Sequence, residues 1–313
     1  LFATGDSATS ARLVPCCDHG MRLEGCEHEQ EMLHLREIRK VFSMRDEFDI
    51  LHFHTDRLHF PLARRQGVPH VTTLHGRLDL PDLAALMREF HGSPLVSISD
   101  AQRQPMPWAS WLATVHHGLP RDLLRVHPGP GQYLAFLGRI SPEKRCDRAI
   151  DIALRAGLPL RIAAKVDAAD QAYFETVIRP LLRHPLIEFV GEIGEREKDE
   201  FLGNAMALLF PIDWPEPFGL VMIEAMACGT PVVAFECGSV PEVIEDGVTG
   251  RIVHSVDEAL RALPEVFALD RRRCRQRFEQ RFSSDRMAAD YVRGYEAVLR
   301  QPSDEPVMEA SNG

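Results

Sequence analysis

The sequence lacks the features that mark membrane-spanning, secreted or nucleic-acid-binding proteins. No apolar run approaches the roughly 18–20 residues of a bilayer-spanning helix, and the N-terminus lacks the basic-then-apolar layout of a signal peptide. Lys and Arg total 36 against 46 Asp and Glu, a formal charge of -10. No global positive field therefore exists to attract nucleic acid. We predict a cytoplasmic protein without nucleic-acid partners, whose membrane contact is at most peripheral.

Cysteine is sparse. The seven cysteines contain no C-x-x-C pair, which argues against a disulfide framework and fits a reducing compartment. One group of soft ligands crowds into a short stretch: Cys16, Cys17, His19, Cys26 and His28. Structural zinc sites usually present paired ligands at C-x2-4-C spacing, and this group does not. We therefore expect thiols in a loop here and predict no metal site.

What is present is the composition and pattern of an ordinary α/β protein. The chain has 313 residues, 45% hydrophobic and 26% charged, and this length allows two domains. Short apolar runs alternate with helical spacing from end to end, which is typical of parallel sheets covered by helices on both faces. The predicted strands are Leu1–Ala3, Phe48–Phe53, His70–Leu74, Pro94–Ile98, Leu112–Val115, Tyr133–Leu137, Leu160–Ala164, Ile187–Val190, Ala207–Phe210, Pro231–Phe235 and Gly250–Val253.

A Pro/Gly-rich stretch between His116 and Gly131 divides the two halves, because it can continue neither a helix nor a central strand. We predict doubly wound domains over 1–125 and 126–283. A helix with one apolar stripe is expected over 284–300, and a flexible tail over 301–313. Two such domains would leave a cleft at the carboxyl ends of their strands, where open α/β sheets bind ligands.

The densest chemical signal runs from Trp214 to Pro231. Gly219 lies near a helix start, and Gly229 with Pro231 ends that helix after little more than two turns. Glu224 is the lone charge on this apolar helix, so it needs hydrogen-bond donors if it is buried. Sugar hydroxyls or a ribose would supply them, and a diphosphate would suit the helix N-terminus. The alternative is that Glu224 caps a solvent-exposed rim.

A second signal, FLGRISPEKR, covers residues 136–145. It predicts a strand, then Ser141 as a helix N-cap and Pro142 as the first helical residue. Arg139 and Lys144 flank this helix start, which suits a phosphate clamp in an acidic protein. Basic residues beside strand ends are also common surface features, and that alternative stays open.

In the first half, several polar residues stand at the ends of predicted strands. His52, His54 and Asp56 follow one strand and His75 follows the next. Gly76 directly after His75 permits close approach of a ligand. A structural or solvated histidine is the alternative to a site residue.

Together these motifs resemble the signature of family 4 retaining glycosyltransferases of GT-B architecture. Glu216 and Glu224 have the E-x7-E spacing, within EPFGLVMIEAMACGTPVVA. In the family's order the chain also carries LFATGDS, TLHG, SISD, HHGLP, FLGRISPEK and GSVPEVIEDGVTG. The resemblance implies two Rossmann-like domains facing a central cleft. It also implies transfer of a sugar from a nucleotide-diphosphate sugar to an unidentified sugar, lipid or small-molecule acceptor, with retention of configuration and without a metal or another cofactor.

The resemblance also implies a role for each matched residue. Arg139 and Lys144 would neutralise the departing diphosphate, Glu216 would contact hydroxyls of the donor sugar, and Glu224 would hold the ribose. His75 would reach the donor sugar from the opposite domain. The catalytic residues expected on this basis are His75, Glu216, Arg139 and Lys144, and the donor-binding residues are Glu224, Gly219, Leu220 and Ile193.

Two departures from the family leave an alternative open. The family begins with a strand, a glycine-rich loop and a helix, and this chain starts after them at Leu1, so we expect the first domain to be incomplete by roughly 40 residues. Ala164 stands where relatives commonly carry glycine, and Lys165 beside it would add positive charge near the donor. The alternative is a non-catalytic nucleotide-sugar-binding fragment. A phosphorylase is less favoured, because no lysine has the setting of a pyridoxal phosphate Schiff base.

Overall fold

A computed structural model of the protein describes residues 1–20 and 30–300. Cys26, His28 and the predicted tail lie outside the described residues. Contacts within the chain define two compact units. The first unit contains Leu1–Ser97, Met106–Thr114 and the chain from Tyr291 onward, and the second contains Ile98–Pro105 and Val115–Asp290. The sequence-based domain limits of 1–125, 126–283 and 284–300 stay a prediction.

The first unit contains two parallel sheets. Strand β1 (Phe2–Thr4) pairs with β2 (Val14–Cys17), and a separate sheet has the order β3-β4-β5-β6. Strand β2 corrects our expectation of a loop around Cys16 and Cys17. Pro15, which cannot donate a ladder hydrogen bond, obscured this strand in the sequence. The remaining strands are β3 (Leu51–Phe53), β4 (His70–Thr73), β5 (Leu95–Ser97) and β6 (Trp111–Thr114), and the helices are α1 (Gln30–Ser43), α2 (Phe60–Gln66) and α3 (Pro81–Glu89).

The second unit is built on one parallel sheet of six strands, in the order β12-β11-β10-β7-β8-β9. Counted within this unit, the order is 3-2-1-4-5-6, that of the doubly wound dinucleotide-binding fold. The strand order reverses between β7 and β10, and ligands of such sheets bind at the carboxyl ends beside that point. The strands are β7 (Tyr133–Arg139), β8 (Leu160–Lys165), β9 (Ile187–Gly191), β10 (Ala205–Phe210), β11 (Val232–Phe235) and β12 (Gly250–Val253).

Helices accompany these strands, and the one that follows β10 is short, apolar and largely buried. Helix α8 begins after Gly219, as the sequence predicted, and its residues from Met222 to Ala227 are buried. At its other end, Arg275 of α11 donates to the carbonyl oxygen of Ala227 at 2.7 Å, which satisfies a helix C-terminus. The helices are α4 (Asp100–Arg103), α5 (Cys146–Ala156), α6 (residues 171–181), α7 (Glu195–Gly203), α8 (Leu220–Ala227), α9 (Val240–Val243), α10 (Val256–Phe267), α11 (Arg271–Arg281) and α12 (Ser284–Arg300).

The last helix, α12, contributes to both units, since its residues up to Asp290 belong to the second and those from Tyr291 to the first. In the described part of the chain, no helix combines the length and the apolar character needed to cross a membrane.

Candidate functional site

The loops that follow β7 and β10 lie on the two sides of the point where the strand order reverses. They are joined by a backbone hydrogen bond, in which the N–H of Asp213 donates to the carbonyl oxygen of Glu143 at 2.8 Å. Arg145 and Arg148 also donate to the Asp213 carboxylate, at 2.8 and 3.0 Å. These contacts fix the two loops against each other, so side chains from both can act on one ligand.

The loop after β7 differs in one respect from the sequence prediction. Pro142–Lys144 forms a single 3-10 turn rather than the first turn of a helix, and α5 begins only at Cys146. Arg145 separates the two in a left-handed conformation, with φ of 54°. Its guanidinium makes ion pairs with Asp147 and Asp213, which stabilises this uncommon backbone. Lys144 therefore stands at the end of a turn and not on a helix face.

Lys144 and Glu216 form an ion pair across the two loops. The Lys144 ammonium donates to Oε2 of Glu216, and the indole N–H of Trp214 donates to the same oxygen at 2.9 Å. The ammonium also lies 5.1 Å from the centre of the Trp214 ring, a cation–π distance. The two charged side chains are only 19% and 12% exposed. A cation and a carboxylate thus lie together with little exposure to water. Each therefore attracts an oppositely charged or hydroxyl-bearing group more strongly than it would in water.

Gly219 begins α8 with a backbone that other residues rarely adopt. Its φ is +79°, and a Cβ there would come within 2.8 Å of Met222 and 3.0 Å of Phe210. The N–H of Met222 donates to the carbonyl oxygen of Gly219 at 3.0 Å. The N–H groups of Leu220 and Val221 lie in the first turn, where such groups have no partner within the helix. They offer hydrogen bonds and the positive end of the helix dipole to an anion.

A second glycine, which our sequence analysis did not single out, holds the loop before α8. A Cβ on Gly238 would lie 2.4 Å from backbone atoms of Glu216, so the close approach requires glycine. The next residue, Ser239, donates its N–H to the Glu216 carbonyl oxygen at 3.0 Å and its hydroxyl to that of Phe218 at 2.7 Å. The string GSVPEV in the sequence was the available signal, but it does not say which loop it supports.

Glu224 is buried rather than placed on a solvent-exposed rim, with 9% of its side chain accessible. Its partner is Lys198 of α7, whose ammonium donates to Oε1 at 2.7 Å. Burial is the largest single influence and acts against the charge of Lys198, but the hydrogen bonds and negative charges of Glu224 and Glu195 together outweigh it and raise the pKa of the lysine. The sequence predicts hydrogen-bond donors for a buried Glu224 but does not identify Lys198 as one, because no local pattern joins these two positions.

Arg139 ends β7 and is 47% exposed. Three carboxylates surround its guanidinium: Glu143 at 3.1 Å, Asp167 at 3.5 Å and Asp170 at 3.8 Å. Lys165, at the end of the neighbouring β8, also pairs with Asp167 at 3.0 Å. Cations and carboxylates therefore alternate along this edge of the sheet.

In the first unit, the expected site residue His75 follows β4 and contacts a second histidine. Nδ1 of His54 lies 2.8 Å from Nε2 of His75. Hydrogen bonds between its two ring nitrogens and the hydroxyls of Thr73, at 2.8 Å, and Tyr295, at 2.7 Å, place His52 beside them. Desolvation and the neighbouring imidazoles lower the pKa of His52 to about 3 and that of His54 to about 4, and desolvation lowers the pKa of His75 as well.

The structure thus places seven of the eight expected site residues in the second unit and His75 in the first. Lys144 and Glu216 are in contact, while Arg139 is paired with other carboxylates. Ile193, in the loop after β9, packs against the core of the second unit. Within residues 1–20 and 30–300, no group of three or more His, Cys, Asp or Glu residues could hold a metal ion.

The family model described as glycosyl transferases group 1 matches residues 125–281. D-inositol 3-phosphate glycosyltransferase of Mycolicibacterium gilvum is 30% identical over 270 residues, 71% of this chain and 59% of that protein. The same-named protein of Mycolicibacterium smegmatis is 31% identical over 214 residues, 62% of this chain and 46% of that one. The chain thus spans about half the length of the curated relatives it matches.

Among solved structures, HepE of Anabaena in complex with UDP and glucose is similar, with a TM-score of 0.69 and 17% identity over 91% of this chain and 86% of that chain. A likeness at this low identity concerns the fold. It agrees with the parallel, Rossmann-like sheets described above.

Proposed function

Because the chain belongs to the group 1 glycosyl transferases and has the fold of GT-B enzymes, we propose that it transfers a sugar from a nucleoside diphosphate sugar to an acceptor. The transfer retains the anomeric configuration, as in the family 4 enzymes that the sequence resembles. One observation carries this proposal: Lys144, Glu216 and the start of α8 lie together beside the β7–β10 reversal point. That is where open α/β sheets bind ligands.

The diphosphate binds at the start of α8 in this proposal. The N–H groups of Leu220 and Val221 and the helix dipole attract its negative charge. Lys144 turns from Glu216 toward the phosphates, and Arg139 adds a second positive charge from the end of β7. These groups stabilise the charge that develops on the diphosphate oxygen as its bond to the anomeric carbon breaks. We propose that they do so without a divalent cation.

The two glutamates bind the rest of the donor. Once Lys144 engages the phosphates, the Glu216 carboxylate accepts hydrogen bonds from hydroxyls of the sugar. Glu224 accepts from the ribose hydroxyls, and Lys198 compensates its charge within the buried site. The loop around Ile193 contacts the base. The acceptor is a hydroxyl of a sugar, lipid or small molecule. Its oxygen bonds to the anomeric carbon as the bond to the diphosphate breaks, and its proton passes to the released diphosphate or to water.

His75 completes the proposed catalytic set by polarising a hydroxyl of the donor sugar or stabilising charge at the reacting carbon. We also propose that the reaction takes place in the cytoplasm, where free cysteines such as Cys146 and Cys228 stay reduced. Cell fractionation with an antibody against the protein tests the location.

Thermal shift and calorimetry with UDP, GDP, ADP and their common sugar conjugates test the donor site. At 100 times its Kd, the true ligand stabilises the native state by about 2.7 kcal/mol. Lys144→Met and Glu224→Gln should each weaken binding at least about tenfold. Arg261→Met on α10 and Glu200→Gln on α7, both exposed, are matched controls and should bind like wild type. EDTA should leave the affinity unchanged.

Two results would contradict the proposal or redirect it. If no nucleoside diphosphate binds, or if the two site variants bind like their controls, the donor site is wrong. If the protein binds a nucleotide sugar but neither hydrolyses nor transfers it, the alternative of a non-catalytic nucleotide-sugar-binding protein is correct.

A further inference from the structure

His54 and His75 stand at the ends of neighbouring strands and share one short contact, between Nδ1 of His54 and Nε2 of His75 at 2.8 Å. We propose that His54 is a positioning residue, which fixes the tautomer of His75 and so decides whether Nδ1 of His75 donates or accepts a hydrogen bond. Its catalytic consequence rests on the proposed function, since it is there that His75 acts on the donor sugar.

The proton count at this contact allows few arrangements. A neutral imidazole carries one N–H and one lone pair, and a hydrogen bond needs one of each. If His54 carries its proton on Nδ1, then Nε2 of His75 accepts and its Nδ1 must carry the proton. If Nε2 of His75 donates instead, its Nδ1 is an acceptor. The protonation of Nδ1 of His75 therefore depends on which of the two facing nitrogens, Nδ1 of His54 or Nε2 of His75, carries the proton of this hydrogen bond.

The geometry fits a hydrogen bond better than a shared metal ion. Two imidazole nitrogens on one tetrahedral zinc, each at about 2.0–2.1 Å, would be separated by roughly 3.3 Å. The observed 2.8 Å between His54 and His75 is shorter and is an ordinary hydrogen-bond distance. The two rings are also nearly parallel, at 26°.

Both rings are neutral at physiological pH. The pKa of His54 is lowered to about 4, first by desolvation and then by His75, and the pKa of His75 is lowered by desolvation against an opposing effect of Asp56. Each neutral ring carries one N–H, so the hydrogen bond forms only when one of the two facing nitrogens is protonated and the other is not. The pair thus holds one proton in the contact, as the positioning role requires.

The rest of the cluster holds His54 in place. Its ring centre lies 4.3 Å from that of His52. Both nitrogens of His52 are engaged, one with the Tyr295 hydroxyl at 2.7 Å and the other with the Thr73 hydroxyl at 2.8 Å. Thr73 in turn contacts the hydroxyl of Tyr291 at 3.0 Å. Through these two tyrosines, helix α12 holds the ring of His52, against which the ring of His54 lies.

The test reads the tautomer directly. The full chain is labelled with 15N-histidine, and long-range 1H–15N spectra are recorded at pH 7.5, with His75→Asn used to assign His75. We expect one tautomer of His75 in wild type and a mixture in His54→Phe. His54→Asn keeps an amide near Nδ1 and should restore a single tautomer. His91→Phe, which removes an exposed histidine of the same unit, should leave the His75 signals unchanged.

Kinetics provide the second readout, on the donor that the binding screen identifies. His54→Phe should lower kcat about 10- to 100-fold with KM within about twofold, and His54→Asn should recover most of it. A mixture of tautomers in wild type, His75 shifts unchanged in His54→Phe, or an unchanged kcat in that variant would each overturn the proposal. If wild type turns over no donor, the proposed function fails, while the spectra alone still decide whether His54 sets the tautomer.

Discussion

The buried imidazole of His59 predicts that the first unit loses stability in mild acid. His59 is 0% exposed, its Nε2 lies 2.8 Å from the Thr72 hydroxyl, and its ring stacks on Phe53 with centres 3.8 Å apart. Burial, with smaller effects of His70 and His52, lowers the pKa of His59 to about 3. A proton on this ring would have to be accommodated without water.

The sign and size of the effect follow from proton linkage. In the unfolded chain the pKa of histidine is about 6.5. Between about pH 6.5 and 3, His59 therefore binds a proton in the unfolded state but not in the native state. The free energy of unfolding therefore falls as the pH falls through this range, by about 1.4 kcal/mol per pH unit. Between pH 7.5 and 5.0, His59 alone should cost the first unit about 2 kcal/mol.

The assay isolates the first unit through its fluorescence. Trp214 belongs to the second unit, so in a Trp214→Phe background the remaining signal comes from Trp108 and Trp111 of the first. Urea unfolding of this protein and of its His59→Phe derivative is compared at pH 7.5 and 5.0. Other histidines titrate equally in both proteins, so only the difference between their losses counts. An equal loss in both would refute the reasoning, and a loss smaller by about 2 kcal/mol in His59→Phe is expected.

Three further substitutions test the proposed donor site in the second unit. Gly238→Ala should reduce nucleotide affinity at least about tenfold in calorimetry, because the added Cβ collides with the backbone of the loop before α8. Gly157→Ala is the control: its φ is also positive but no atom lies within 4 Å of the added Cβ, and it should leave the affinity unchanged. Ser239→Ala leaves a carbonyl oxygen of that loop unpaired and should cost about 1–3 kcal/mol in urea unfolding, and an unchanged midpoint would contradict this. Lys198→Met should lower the free energy of unfolding by about 3 kcal/mol, because it leaves Glu224 buried without its partner. Adding Glu224→Gln should recover most of that loss. Purely additive effects of the two substitutions would contradict the coupling.

The strands and helices could be predicted where the pattern is local. Gly250–Val253 is a strand as predicted, and the strand expected over Pro94–Ile98 covers Leu95–Ser97. The prediction failed where a residue acts against its usual preference. Strand β2 contains Pro15, and the expected helix start at Pro142 became a 3-10 turn because Arg145 takes a left-handed backbone.

The sequence by itself determined the α/β class, the parallel sheets and the candidate donor-site motifs, because periodicity, glycine and proline act over a few residues. It also indicated that a lone Glu224 on an apolar helix needs a partner. Only the tertiary structure decided which partner that is, since Lys198 stands 26 positions away, and it likewise joined Lys144 to Glu216 and His54 to His75. These pairs form because parallel strands bring the loops at their carboxyl ends to one edge of a sheet, and no pattern along the chain records that meeting.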